Sequence, residues 1–142
     1  MHIDHRTDLP AAFTGTVILA ATSVSSLVGF ALYRPEAGCV GSPPPDVWMI
    51  VYASIVAGLC VDIGLRWWAV LSSPPLCVSA LFVSTYFVWG IIGAFLYATG
   101  LAGCTGATTT IVLFDVATWA VLSVAGCATV AAKAVAGRND GA

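Results

Sequence analysis

Charged residues divide the chain into long apolar stretches. A first uncharged stretch runs over 11–33, a second apolar run over 47–65 contains Asp62 alone, and a third uncharged stretch covers 67–114. A helix needs about 20 apolar residues to cross a hydrocarbon core of about 30 Å. The first two runs therefore predict one crossing each, and the third is long enough for two.

Turn-forming residues give the limits of these crossings. Three consecutive prolines occupy 43–45, Ser-Ser-Pro-Pro occupies 72–75, and a segment with three glycines occupies 100–106. Prolines and clustered glycines end helices. The predicted spans are 12–33, 47–66, 76–97 and 110–133. Because they are apolar on all sides, β-barrel strands are excluded, and we expect a single all-α domain over 1–142, a four-helix transmembrane bundle.

Composition agrees with a chain whose main solvent is lipid. Hydrophobic residues make up 59% of the sequence, charged residues 8%, and the mean hydropathy is +0.96. These values lie outside the range of soluble domains. The net charge of −2 is spread thinly, without the Lys/Arg cluster that phosphate contacts require, so nucleic acid is not an expected partner. The expected partner is the bilayer of the plasma membrane or an endomembrane.

Basic residues predict the orientation. Four crossings put both termini and the loop after residue 66 on one side. That side carries four basic residues near span ends, namely Arg6, Arg66, Lys133 and Arg138, whereas the other carries Arg34 alone. The positive-inside rule then places both termini in the cytoplasm and the 34–46 and 98–109 loops on the exoplasmic side.

Two of the five cysteines fall in the predicted outer loops. Cys39 lies in the first outer loop and Cys104 in the second. In an oxidising compartment a bond between them would join the two hairpins, and the alternative is two unpaired thiols. The other three cysteines, Cys60, Cys77 and Cys127, are interpreted as small packing residues.

Asp115 is the most unusual residue, because it lies about one helical turn inside the predicted fourth span. A carboxylate there is costly, so we expect it to face protein or water. One hypothesis makes it an ion or proton contact at the mouth of an oligomeric pore, beside Thr108, Thr109 and Thr110. The alternative is a structural carboxylate, solvated from the loop or hydrogen-bonded to those threonines.

Other polar and aromatic residues cluster near the span ends. Asp62 lies one turn before Arg66, a spacing that favours an intrahelical ion pair. Aromatic residues at both ends of the second helix are typical of interfacial anchors. These residues are Trp48, Tyr52, Trp67 and Trp68.

Small residues recur inside the third and fourth spans. Gly90 and Gly93 lie three apart, as do Ala117 and Ala120. Such residues let helix backbones approach closely, which is how helices associate in lipid. They predict tight packing, either within the chain or between subunits.

The order of several motifs resembles a known family. Gly38-Cys39 is followed by a proline-rich step into the segment 47–52, by Phe-Val-Trp-Gly over 87–90, and by Cys104. An aromatic-containing segment, 114–119, completes the order. This order resembles the transmembrane protein 272-like family of small four-pass proteins. The resemblance implies the topology and the loop cysteine pair; the three consecutive prolines and the Ala/Gly-rich fourth span depart from the family pattern.

No catalytic constellation, nucleotide-binding motif or metal-ligand spacing occurs in the sequence, so neither an enzyme nor a cofactor is expected. Two classes of function are left. The first is a tetraspan that acts through helix packing, as a homo-oligomer or as an accessory or assembly subunit of a membrane complex. The second is an oligomeric channel or pore with Asp115 and the threonine cluster near its exoplasmic mouth.

Overall fold

The structure is a computed structural model that describes residues 5–34, 39, 43–68, 76–101, 104 and 106–141. Within these residues it contains four α-helices and no strand, which confirms the predicted fold class. The helices are α1 (His5–Leu32), α2 (Pro45–Trp68), α3 (Leu76–Leu96) and α4 (Ala107–Asp140), and a π-helical segment, Tyr97–Leu101, continues α3. Each of the four is long and apolar enough to cross a membrane.

Two helices extend beyond the predicted spans. α1 begins at His5 instead of residue 12, and α4 ends at Asp140 instead of residue 133. The predicted limits were those of the apolar segment, and a helix does not have to end where the hydrocarbon ends. In α4 the alanine-rich sequence favours helix through Lys133 and Arg138.

Local sequence accounts for two helix starts at the same end of the bundle. Pro45 occupies the first position of α2, where its missing N–H would be unpaired in any case, and Asp46 in the first turn complements the helix dipole. α4 is preceded by Gly106 in an extended conformation (φ −138°). Both starts lie close to the two loop cysteines.

Consecutive helices are neighbours around the bundle. α1 packs against α2 and α4, α3 packs against the same two helices, and α2 and α4 meet only slightly across the centre. Neighbours run antiparallel: Ser23 of α1 bonds to Ala53 of α2, and nearer the start of α1 Cys60 contacts Thr16. We call the end that carries Cys39 and Cys104 the disulfide end, and the opposite end the terminal end.

The core lies along one face of α2. Trp48, Met49, Tyr52 and Val56 are all 0% exposed, at the spacing of three and four residues that keeps side chains on one helical face. The Trp48 and Tyr52 rings stack with their centroids 4.8 Å apart. Their interpretation as interfacial anchors was therefore wrong, since an anchor exposes its ring to lipid headgroups whereas these rings fill the bundle. The side chains of Trp67 and Trp68 lie outside the described residues.

The outer surface is apolar, as a bilayer requires. Large side chains that point outward occur on every helix, for example Phe13 (64% exposed), Leu81 (66%), Phe95 (63%) and Val121 (68%). In water such a surface would be an aggregation hazard, whereas in lipid it is the solvated face.

The second half of α4 stands apart from the other helices. Every residue from 124 to 141 is exposed, so no face of this segment is covered by a described residue of α1, α2 or α3. A Cβ built on Gly126 or Gly137 meets nothing within 4 Å among the described residues. The bundle is therefore closed towards the disulfide end and opens beside α4 towards the terminal end.

Candidate functional site

Asp115 lies inside the bundle, where three helices meet. Its side chain is 0% exposed, and Ser26 of α1 donates a hydrogen bond from Oγ to Asp115 Oδ2. The hydroxyl of Tyr52 on α2 donates to the backbone carbonyl of Asp115 over 3.3 Å. One residue of α4 thus bonds to both α1 and α2.

The sequence of α1 explains how Ser26 reaches this position. Thr22 and Ser26 are both buried and lie four residues apart, on the face that also carries Gly29. A Cβ on Gly29 would lie 2.6 Å from Met49 Sδ and 2.9 Å from Ile111 Cγ2. The glycine therefore allows α2 and α4 to approach α1 about one turn from Ser26. This contact closes the interface between α1 and α4, which we call the seam, on the disulfide side of Asp115.

The cluster contains a buried carboxyl oxygen, Asp115 Oδ1, that forms no hydrogen bond with any residue that the structure describes. Tyr86 on α3 is 6% exposed, and its ring centroid lies 6.0 Å from that of Tyr52. All four helices thus contribute a polar side chain to the polar cluster, which we define as Ser26, Tyr52, Tyr86 and Asp115.

The predicted association of Asp115 with the threonines is not formed. Thr110 donates to the carbonyl of Gly106 in its own helix, over 3.2 Å. Thr108 and Thr109 line a cavity of about 20 Å³ at the disulfide end, together with Arg34. Asp115 bonds to Ser26 instead, because its position on α4 turns it inward against α1. The threonines and the carboxyl therefore do not bond to each other, although all lie in the first third of α4.

Asp62, the second carboxylate in a span, lies between α2 and α3 towards the terminal end. Ser79 of α3 donates from Oγ to Asp62 Oδ2 over 2.7 Å, and Asp62 is 7% exposed. The side chain of Arg66 lies outside the described residues, so the predicted ion pair stays a prediction. Each intramembrane aspartate therefore accepts a hydrogen bond from a serine of a neighbouring helix.

Two tryptophans connect α2 to α3 by hydrogen bonds. Trp48 Nε1 donates to the carbonyl of Trp89, and Trp89 Nε1 donates to the carbonyl of Trp48, both over 3.1 Å. Gly93 makes this exchange sterically feasible, because a Cβ there would lie 2.3 Å from Trp48 Cζ2. The reciprocal pair satisfies both indole N–H groups where lipid offers them no partner.

Among the predicted packing residues, both glycines lie at helix contacts, whereas the two alanines differ from each other in exposure. Gly90 faces Trp119, whose indole would lie 2.1 Å from an added Cβ, and Gly93 faces Trp48. On α4, Ala117 is exposed and Ala120 is half-buried. Ala117 therefore faces away from the other helices of its own chain.

Replacement of Gly93 by alanine is expected to lower the free energy of unfolding by about 1–3 kcal/mol, the usual effect of inserting a methyl group into a filled core. The Trp48 ring is fully buried and cannot move aside without breaking the reciprocal bonds. Gly64→Ala is the matched control, since a Cβ there meets nothing within 4 Å among the described residues. Unfolding in mixed micelles measures both variants, and equal stabilities would contradict the prediction.

The disulfide expected from the loop cysteines is present. Cys39 and Cys104 are bonded, with their Cα atoms 6.3 Å apart, and the bond links positions 65 residues apart. Among the described cysteines, Cys60 is half-buried and free, and Cys77 and Cys127 are exposed and free. The bond joins the loop after α1 to the segment between α3 and α4, so it closes the bundle at one end.

Sequence reasoning did not identify Ser26, Tyr86, Ser79 or Trp89. A signal existed for the first of these, because Thr22, Ser26 and Gly29 share one face of an otherwise apolar helix. Hydroxyl groups on such a face are typical of helix contacts in lipid. No comparable pattern marked Tyr86 or Trp89, whose partners lie on helices distant in sequence.

No family model matches this chain, and comparisons with curated proteins and with solved structures found no match. Membership of the transmembrane protein 272-like family therefore stays a prediction that rests on the motif order alone.

Proposed function

We propose that this membrane tetraspan is non-catalytic and acts through helix packing, as the subunit of a homo-oligomer or as an accessory or assembly subunit of a membrane complex. Its assembly surface is the second half of α4, which we define as residues 124–140. The observation that carries the proposal is the exposure of this entire segment beside a bundle that is otherwise closed.

The composition of the second half of α4 supports contact with protein. It contains no Leu, Ile or aromatic residue, and six of the fourteen residues from 124 to 137 are alanine. The lipid-facing surfaces of the other helices carry large side chains such as Phe13, Leu81 and Phe95. Small residues permit close approach of another helix, whereas in lipid they offer little contact area.

The pore alternative has less support. A ring of carboxylates needs Asp115 on a surface shared by several subunits, and this side chain is 0% exposed and bonded to Ser26 of its own chain. Thr108 and Thr109 line a small cavity within one chain, and Thr109 and Thr110 border a wider groove that Asp115 does not line. The exposed half of α4 lies nearer the opposite end of the bundle from these threonines.

We propose the orientation with both termini in the cytoplasm. Two independent features support it. Four of the five basic residues belong to the terminal side. Disulfides such as that between Cys39 and Cys104 persist in oxidising compartments, and this supports an exoplasmic position for the disulfide end.

Cross-linking through native cysteines tests the assembly surface. Cys127 lies within the second half of α4, and Cys77 is an equally exposed thiol on α3. Treatment of membranes with a bifunctional maleimide is expected to join two chains of 14.6 kDa in the Cys77→Ser variant and not in Cys127→Ser. A conjugate of another mass, again dependent on Cys127, identifies a different membrane subunit as the partner.

A steric variant serves as the second arm of the same experiment. Ala131→Phe puts a large side chain on the second half of α4 and should reduce the cross-linked product several-fold. Ala80→Phe, on the exposed face of α3, is the matched control and should leave the yield unchanged. Product that persists in Cys127→Ser, or no product in any variant, contradicts the proposal.

A further inference from the structure

Asp115 is a buried acid to which the described residues bring no counter-charge. The structure places no Lys, Arg or His among the described residues that act on its carboxyl, and Arg34 is exposed and bonds to the carbonyl of Tyr33. Burial of an unpaired carboxylate is strongly unfavourable, more so in a bundle whose outer surface is lipid. The closed bundle therefore has to neutralise this carboxyl in some other way.

The polar groups that face Asp115 come from α1, α2 and α3. α1 contributes the hydroxyls of Ser25 and Ser26, with Ser26 as the donor to Oδ2. The titratable groups are the phenols of Tyr52 on α2 and Tyr86 on α3. Neither phenol carries a positive charge in any protonation state, so none of these side chains can balance an ionised Asp115.

A bound proton fits the site. The carboxyl is fully enclosed, with Val112 on the same helix also 0% exposed, and a proton needs no cavity. An ionised carboxylate only accepts hydrogen bonds, whereas the neutral acid also donates one. One buried oxygen of the polar cluster, Asp115 Oδ1, forms no hydrogen bond with a described residue.

We propose that Asp115 is a proton-binding site of the bundle. The carboxyl holds its proton while the seam between α1 and α4 is closed. When the seam opens, the O–H bond of the acid breaks, the proton passes to a water molecule, and the carboxylate becomes hydrated. This site is separate from the second half of α4 and does not depend on the assembly function.

Infrared spectroscopy of the full chain in lipid vesicles tests the proposal, because a protonated carboxyl has a carbonyl stretching band that a carboxylate lacks. The band of the wild-type protein at neutral pH should be lost in Asp115→Asn, which keeps an acceptor for Ser26. Asp62→Asn is the matched control, and it should retain the Asp115 band. Raising the pH should remove the band and returning to neutral should restore it.

A second variant keeps the test decisive if Asp115→Asn fails to fold. Ser26→Ala retains Asp115 and removes its hydrogen-bond donor, so the band should shift in frequency without disappearing. A spectrum without an Asp115-dependent band overturns the proposal, and so does a carboxylate band that responds to sodium instead of to pH. The cross-linking of Cys127 is measured separately, so failure of one proposal is distinguishable from failure of the other.

Discussion

Replacement of Trp48 by alanine is expected to lower the free energy of unfolding by about 3–5 kcal/mol, the range for truncating a buried aromatic side chain. The ring is 0% exposed and stacks on Tyr52 with a centroid separation of 4.8 Å. In lipid this loss of stability comes from lost packing contacts and from the cavity left behind. Moving an apolar side chain from acyl chains into the bundle supplies no hydrophobic driving force. Reversible unfolding in mixed micelles, followed by circular dichroism, measures it.

The reciprocal hydrogen bonds contribute a smaller part of the stability lost in Trp48→Ala. A second variant measures this part separately. Trp48→Phe keeps an aromatic ring but removes the donor to the Trp89 carbonyl. An interhelical hydrogen bond in a membrane protein contributes about 0.6 kcal/mol on average. We therefore expect this variant to lose far less stability than Trp48→Ala.

Val47→Ala is the matched control for Trp48→Ala. Val47 precedes Trp48 on α2, and 43% of its surface is exposed on the lipid side. Its truncation should change the unfolding free energy by about 0.5 kcal/mol or less. If Trp48→Ala and Val47→Ala were equally stable, α2 would not carry the core as described.

Loss of the disulfide is expected to have the second-largest effect. Replacement of Cys39 and Cys104 by serine should lower the free energy of unfolding by about 2–4 kcal/mol. The bond links positions 65 residues apart, so it restricts the separation of α1 from α3 and α4 in the unfolded state. The transition should also broaden, since the disulfide end could then open before the rest of the bundle.

Reduction of the wild-type protein should reproduce the double variant, and Cys77→Ser should leave stability unchanged because Cys77 is an exposed free thiol. Unfolding curves recorded with and without reductant provide the measurement. A wild-type curve that reductant does not move would show that the helix contacts alone hold the disulfide end together.

The spans were predictable because they depend on local sequence, and the disulfide was predictable because it follows from the order of the spans. Apolar runs separated by charges, prolines and glycines locate helices whatever their neighbours are. Cys39 and Cys104 occupy the two loops of one side, and chain topology alone brings those loops to the same end. The beginning of α1 and the end of α4 were less predictable, because the hydropathy pattern marks the membrane boundary and not the end of the helix.

The lateral arrangement of the helices was not predictable. In lipid, a residue that faces a neighbouring helix and one that faces acyl chains are equally apolar, so α2 carries no stripe that identifies its buried face. Trp48 and Tyr52 are residue types that are typical of interfacial anchors, but both side chains are buried in the core. Their burial depends on Gly93 of α3 and on the polar cluster, which lie far away in sequence.

The sequence by itself determined that the chain forms four helices long and apolar enough to cross a membrane, that two loop cysteines can meet, and that Asp115 is a carboxylic acid within an apolar segment. Tertiary structure decided what surrounds that acid: Ser26 from α1 and Tyr52 from α2 instead of Thr108–Thr110. The physical reason is that hydropathy determines only how deep each residue lies along the membrane normal. Rotation of each helix about its own axis is fixed by contacts between side chains, and those contacts exist only in the folded bundle.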